Sequence, residues 1–338
     1  MSIGQERAAD ATVRRADEHV GFLVVGSPRS GTTLVQRLAC EVPGVRMPPE
    51  THFFSQFAAG LLKRRTFPLG RDELGDEISR FGALETSRGL EVDAGGIAED
   101  LGGTCPGPFA LFDALVRQLS GPARIWGEKT PDHLLWWRPI ARSAPWLRFV
   151  VVVRDPRAVV ASNLVMPWSA DRRLPAWGDK LHLALAVHWA VMQRQADAMR
   201  RELGPGRCLV LRYEDVVADP GRARRQMAEF LGTAASTTRG GASDGFVHEW
   251  EPWKREALGA VDPARVDHWR EVLDDGRARQ IGAVCRAGMR RFGYGKDAPD
   301  TVETIAVLGG LGPRMWSRLL RYGRTYEGYV RPADCLPG

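Results

Sequence analysis

The stretch FLVVGSPRSGTTL, residues 22–34, carries the residue types of an anion-binding loop. Gly26 and Gly31 let a backbone approach a ligand closely. A loop between a strand and a helix N-terminus aims main-chain N–H groups at an anion, and the helix dipole adds roughly half a positive charge. Ser30, Thr32 and Thr33 supply hydroxyls. The spacing matches the nucleotide-loop pattern GxxxxGK(S/T) except at Thr32, where that pattern has lysine. Kinases and ATPases use that lysine on the β/γ-phosphates and the next hydroxyl on Mg²⁺. Here Arg29 brings the positive charge, as a planar fork suited to a tetrahedral oxyanion. Four further residues have the chemistry of a site. Arg154 ends an apolar run, where charge is unusual unless it faces a ligand crevice. Glu50 lies in a proline-rich loop, and His52 follows two residues later. Lys129 ends another run and precedes Thr130–Pro131.

These residues need elements to hold them. GFLVVG, residues 21–26, is continuously apolar, the pattern of a strand buried on both faces of a parallel sheet. Gly31 and Thr32 open a helix running to about Glu41, and residues 42–52, with Pro43, Pro48 and Pro49, read as a loop. From 53 to 121 the pattern is helical with glycine and proline breaks, a helical insertion. Strands are expected at 123–128, 147–154 and 207–213. Asp155–Pro156 and Asp219–Pro220 start helices, and a long helix covers about 179–203. Residues 232–245 read as a flexible loop, and a last amphipathic stretch lies near 305–326. Alternating strand and helix patterns imply an α/β protein with a doubly wound parallel sheet and the ligand at the carboxyl ends of its strands. The chain divides into a loosely attached leader (1–19), a main domain (20–300, with the insertion at 53–121) and a C-terminal helical extension (301–338).

GSPRSGTTL resembles the 5′-phosphosulfate loop of the sulfotransferases that use 3′-phosphoadenosine 5′-phosphosulfate (PAPS), most of all the branch with tyrosylprotein sulfotransferases and many bacterial relatives. VVVVRDPRAVVAS resembles the family's 3′-phosphate element, which implies that role for Arg154 and Ser162. LRYEDV resembles a segment whose tyrosine, here Tyr213, lies near the nucleotide. PPETHFF and GEKTPDHL resemble the segments bearing the catalytic glutamate and lysine. Together these segments span roughly residues 20–232 in the family's order. The resemblance implies cofactor contacts from Arg29, Ser30, Gly31, Thr32 and Thr33. It makes Glu50 the general base, with Lys129 neutralising charge on the bridging oxygen and Arg29 at the transferred group. His52 is the rival base, since histidine titrates near neutrality. Lys254 and Trp253 fall where the family closes a loop over the 3′-phosphate and adenine. Met166 departs from the tyrosylprotein branch, where an arginine is expected.

Composition narrows the rest. Of the 338 residues 44% are hydrophobic and 26% charged, with net charge +6, which suits a globular protein with an anionic ligand. No basic run is interleaved with aromatics, so nucleic acid is not expected as a partner. Five cysteines, widely spaced and without CxxC, point to reduced thiols and a cytoplasmic setting. No signal peptide or membrane span is expected, and no metal cluster is evident. The expected function is PAPS-dependent sulfation of a small-molecule, sugar or lipid hydroxyl, in a bacterial and secondary-metabolic context. A small-metabolite kinase and a non-enzymatic nucleotide-binding module are the rivals, and a homodimer is left open. Phe53, Phe54, Phe57, Trp136, Trp137 and Trp168 are candidates for the acceptor pocket, with core packing as the alternative for most.

Overall fold

The apolar runs form one parallel sheet in the computed structural model, which describes residues 18–166, 175–233 and 259–328. Its strands are β1 (Val20–Gly26), β2 (Val45–Arg46), β3 (Ile125–Lys129), β4 (Arg148–Val153) and β5 (Cys208–Arg212), in spatial order β2-β3-β1-β4-β5. The strand order reverses at β1, which pairs with β3 on one side and β4 on the other. In such sheets the ligand crevice opens at the carboxyl end of that strand. The loop at residues 27–31 therefore stands where an anion site belongs.

Alternate residues of each strand point to opposite faces, and both faces are covered. Leu23, Val25, Phe149, Val151 and Val153 pack on one side with the insertion and with Trp189 and Met192. Phe22, Val24, Val150, Val152 and Leu211 pack on the other with Leu34, Val35, Leu38 and Met227. This two-sided burial is why the strands read as continuous apolar runs.

Helix α1 (Thr32–Cys40) follows the loop. A single π-helical turn, Phe53–Ala58, leads into α2 (Ala59–Arg64), and the insertion continues through α3 (Arg71–Gly82), α4 (Ala94–Asp100) and α5 (Pro108–Ser120). After β3 come a 3₁₀ turn at Pro131–Trp136 and α6 (Trp137–Ser143). Helix α7 (Pro156–Leu164) starts as expected: Pro156 takes the first position and the Asp155 carboxylate accepts the Arg157 N–H. Then come α8 (Leu181–Leu203), α9 (Tyr213–Ala218) and α10 (Pro220–Leu231). Helices α11 (Trp269–Val272), α12 (Asp275–Arg291), α13 (Thr301–Gly309) and α14 (Gly312–Gly328) complete the described residues.

Several expectations change. Residues 42–52 are not all loop: Val45 and Arg46 add the edge strand β2, paired with Ile125 and Trp126. The last stretch is two helices, broken before Gly312, which has φ 70°. Phe53, Phe54, Phe57, Trp136 and Trp137 are core residues, between 0% and 3% exposed, and so do not line an acceptor pocket. His19, the last residue of the expected leader, is anchored by Asp113 at 2.9 Å and by the Trp146 ring. Trp168, Trp253 and Lys254 lie outside the described residues. Among the described residues no helix is long and apolar enough to cross a membrane.

Candidate active site

Arg29 is the hub of the loop. Its backbone is left-handed, at φ 70°. Its Nε donates to Ser162 Oγ at 3.0 Å, across 133 positions of sequence. Its carbonyl accepts from Arg154 Nη1 at 3.2 Å. Arg29, expected at the 5′ side, thus meets Arg154 and Ser162, expected at the 3′-phosphate. Arg154 is itself held from several sides: Nη2 donates to the Arg265 carbonyl at 2.7 Å, its guanidinium lies 4.2 Å from the Tyr213 ring centre, and its carbonyl accepts from Trp189 Nε1 at 3.1 Å. Burial pushes the Arg154 guanidinium below its ordinary value, against the pull of Tyr213, Glu214 and Asp155. A desolvated cation of this kind gains from an incoming anion.

Gly31 ends the loop at φ 93°, and helix α1 begins without a side-chain cap. A Cβ at Gly31 would overlap the Tyr213 ring. Tyr213, 6% exposed, therefore packs between the Arg154 guanidinium and the loop backbone. Ser30 is fully buried, and its Oγ has no hydrogen-bond partner among the described residues. Thr32 and Thr33 are buried at the start of α1.

The second half of the site comes from β3 and the proline loop. The pairing of Val24 with Lys129 sets that lysine beside the end of β1. Lys129, almost fully buried, donates to Thr33 Oγ1 at 3.3 Å and ion-pairs with Glu50 Oε1. The other carboxylate oxygen, Oε2, lies 3.2 Å from His52 Nε2. Glu50 is thus bracketed by an ammonium on its buried side and an imidazole on its more open side, His52 being 16% exposed. His52 is also left-handed, at φ 50°. Among the described residues Arg29 and His52 are the only non-glycine residues with positive φ, and both belong to the expected site. Backbone strain of this kind gathers at functional sites.

Other positioning residues gave no signal in the sequence. Gln36 of α1 donates from Nε2 to the Pro48 carbonyl at 2.9 Å, which fixes the proline loop ahead of Glu50. Glu214 accepts from the Asp155 N–H at 3.0 Å and from Tyr294 Oη at 2.6 Å, tying the start of α7 to the C-terminal helices. A sequence reading finds neither, because both partners are distant and neither residue type is distinctive.

This loop–strand arrangement has known counterparts. The family model described as the sulfotransferase family matches residues 22–237, well over half of the 338-residue chain. The chain belongs to the sulfotransferase family. This sulfotransferase is 26% identical over 218 residues to protein-tyrosine sulfotransferase 2 of Gallus gallus, a match covering 64% of this chain and 52% of that one. It is 24% identical over 189 residues to the omega-hydroxy-beta-dihydromenaquinone-9 sulfotransferase of Mycobacterium bovis, covering 54% and 44% of the two chains. The sulfotransferase thus spans about half the length of the curated relatives it matches. Among solved structures it shares its fold with the sulfotransferase domain of the curacin biosynthetic pathway, at a TM-score of 0.56 and 16% identity, covering 81% of this chain and 98% of that domain.

Proposed function

We propose that this sulfotransferase moves the sulfuryl group of PAPS to the hydroxyl of a small-molecule, sugar or lipid acceptor. One observation carries the reading: Lys129 touches both Thr33 of the anion loop and Glu50, a carboxylate placed to serve as base. An anion loop, a cation and a base in contact are what transfer to a hydroxyl requires.

The residues present suit a phosphosulfate nucleotide. Among the described residues Ser30 Oγ and Arg154 Nε are buried donors without partners, α1 has no side-chain cap, and the loop also carries the Arg29 guanidinium. Arg29, Ser30, Gly31, Thr32 and Thr33 would hold the 5′ side, and Arg154 with Ser162 the 3′-phosphate. Tyr213 braces Arg154 and the loop. Lys254 is assigned to the same ligand on the family resemblance alone. When bound, PAPS supplies an activated sulfuryl group on a nucleotide leaving group. Glu50 accepts the acceptor's hydroxyl proton, and Oε2 is the oxygen on the open side. His52 orients that oxygen or shares the proton. Lys129 and Arg29 place positive charge where negative charge develops.

The direct test is ligand binding followed by turnover. Adenosine 3′,5′-bisphosphate is expected to raise the melting temperature clearly and ATP only weakly; no shift with the bisphosphate defeats the reading. A screen of hydroxylated metabolites with PAPS, read by mass spectrometry and run with and without Mg²⁺, then identifies the acceptor class. Turnover that needs Mg²⁺ and ATP would favour a phosphotransferase instead.

A further inference from the structure

One buried acid takes no part in the chemistry above. Glu128, next to Lys129 on β3, is completely buried, yet its carboxyl is held below its ordinary value. Burial alone would raise it; the contacts of His133, Thr130 and Thr51 outweigh burial. Those contacts share one geometry. The π-helical turn Phe53–Ala58 begins immediately after His52, and the first N–H groups of any helix lack partners inside it. Here four consecutive N–H groups at that start are satisfied by side chains. Thr51 N–H donates directly to Glu128 Oε1 at 3.1 Å. His52 N–H donates to Thr130 Oγ1 at 3.2 Å, and that hydroxyl donates to Glu128 Oε1 at 2.6 Å. Phe53 N–H donates to Thr51 Oγ1 at 3.3 Å, and that hydroxyl donates to Glu128 Oε1 at 3.0 Å. Phe54 N–H donates to His133 Nε2 at 3.2 Å, which leaves the ring proton on Nδ1, 3.0 Å from Glu128 Oε2. All four chains of contact end on one carboxylate.

We propose that Glu128 is a positioning residue for the transfer reaction: acting through Thr51, Thr130 and His133, it fixes backbone 51–54 and thereby sets Glu50 and His52 opposite Lys129. The inference rests on the reaction proposed above. The left-handed backbone of His52 shows why such a tether is needed, because an unstrained turn would carry the imidazole and the adjoining carboxylate elsewhere. A glutamine at 128 does not substitute. Its amide would either turn an N–H toward the hydroxyl donors or face His133 Nδ1 with a second donor, and the second arrangement forces the ring proton onto Nε2 against Phe54 N–H.

The test compares Thr130→Val with Thr130→Ser, and adds Glu128→Gln. Valine keeps the shape of threonine without the hydroxyl; serine keeps the hydroxyl. Two quantities are read on the full chain: amide hydrogen exchange of residues 51–54, and steady-state transfer from PAPS to 2-naphthol as probe acceptor. Thr130→Val and Glu128→Gln should speed exchange at 51–54 and lower kcat on the order of 100-fold, with KM for PAPS unchanged within about twofold. Thr130→Ser should restore both. A role confined to folding would instead lower the melting temperature and leave the kcat of the folded fraction intact. Unchanged exchange overturns the proposal, as does faster exchange with unchanged kcat. If adenosine 3′,5′-bisphosphate gives no melting shift and the wild-type chain transfers nothing from PAPS, the functional reading fails by itself, and the exchange result alone decides whether Glu128 holds this backbone.

Discussion

At the scale of single residues, the proposed reaction divides the site into groups that hold a ligand and groups that move a proton, and the two should respond differently to substitution. Arg154→Ala removes a charged donor from the loop and from the proposed 3′-phosphate. The expected loss is about 2 kcal/mol of bisphosphate affinity, some 30-fold in Kd, measurable by calorimetry. Glu50→Ala should leave that affinity within a few-fold while lowering kcat by roughly 10²–10⁴. Full rate in Glu50→Ala would transfer the role of base to His52. The pairing of Glu50 Oε2 with His52 Nε2 also predicts that His52→Asn lowers rate less than Glu50→Ala, because the carboxylate keeps its place beside Lys129. Much of this site was legible in the residues themselves. Gly26, Arg29 and Gly31 sit within six positions, and local pattern captures them. The contact of Arg29 with Ser162 joins segments that follow the neighbouring strands β1 and β4, and no local pattern gives it. The Glu128 network was not legible at all, since a carboxylate beside a lysine looks in sequence like a local ion pair.

At the scale of elements, the central strands were readable because two-sided burial leaves no polar alternation to confuse the pattern. Edge strand β2 was not: two residues between prolines carry no periodicity, and pairing with β3 alone makes them a strand. The π-helical turn was hidden for a similar reason. FFSQFA carries an ordinary helical pattern, and nothing in its residue types sets a π-helical turn apart from an α-helical one. The insertion meets the site through an aromatic cluster. Phe112, fully buried on α5, has ring centres at 4.9 Å from Phe54 and 5.8 Å from His133. Phe112→Ala should cost about 3–5 kcal/mol in denaturant unfolding. Because His133 loses a wall of its pocket, the same change should also depress kcat, whereas an equally buried residue on the far face of the sheet, such as Met227 of α10, should change stability only.

For the molecule as a whole, buried charge and buried thiols make stability depend on solution conditions. Glu77, fully buried, is gripped by Arg64 at 2.8 Å and Arg65 at 2.9 Å. Burial would raise its carboxyl, but the two arginines hold it below the ordinary 4.5. A group depressed in the folded state stabilises above its unfolded value, and that contribution disappears as pH falls through the folded value. Glu77→Gln should therefore be less stable than wild type near neutral pH, and the gap should close in acid; a gap independent of pH would contradict the assignment. Cys40, Cys105, Cys208 and Cys285 are all buried, and burial pushes the Cys208 thiol up to about 12. Those four should resist thiol reagents until the chain unfolds. The left-handed backbone at Arg29 and His52 has a consequence for how this protein tolerates change. Each position stores conformational energy that a glycine would release. Arg29→Gly and His52→Gly should melt no lower than wild type while transferring little or no sulfate. Selection for thermal robustness alone would accordingly drift toward a sturdier molecule that has forgotten its reaction.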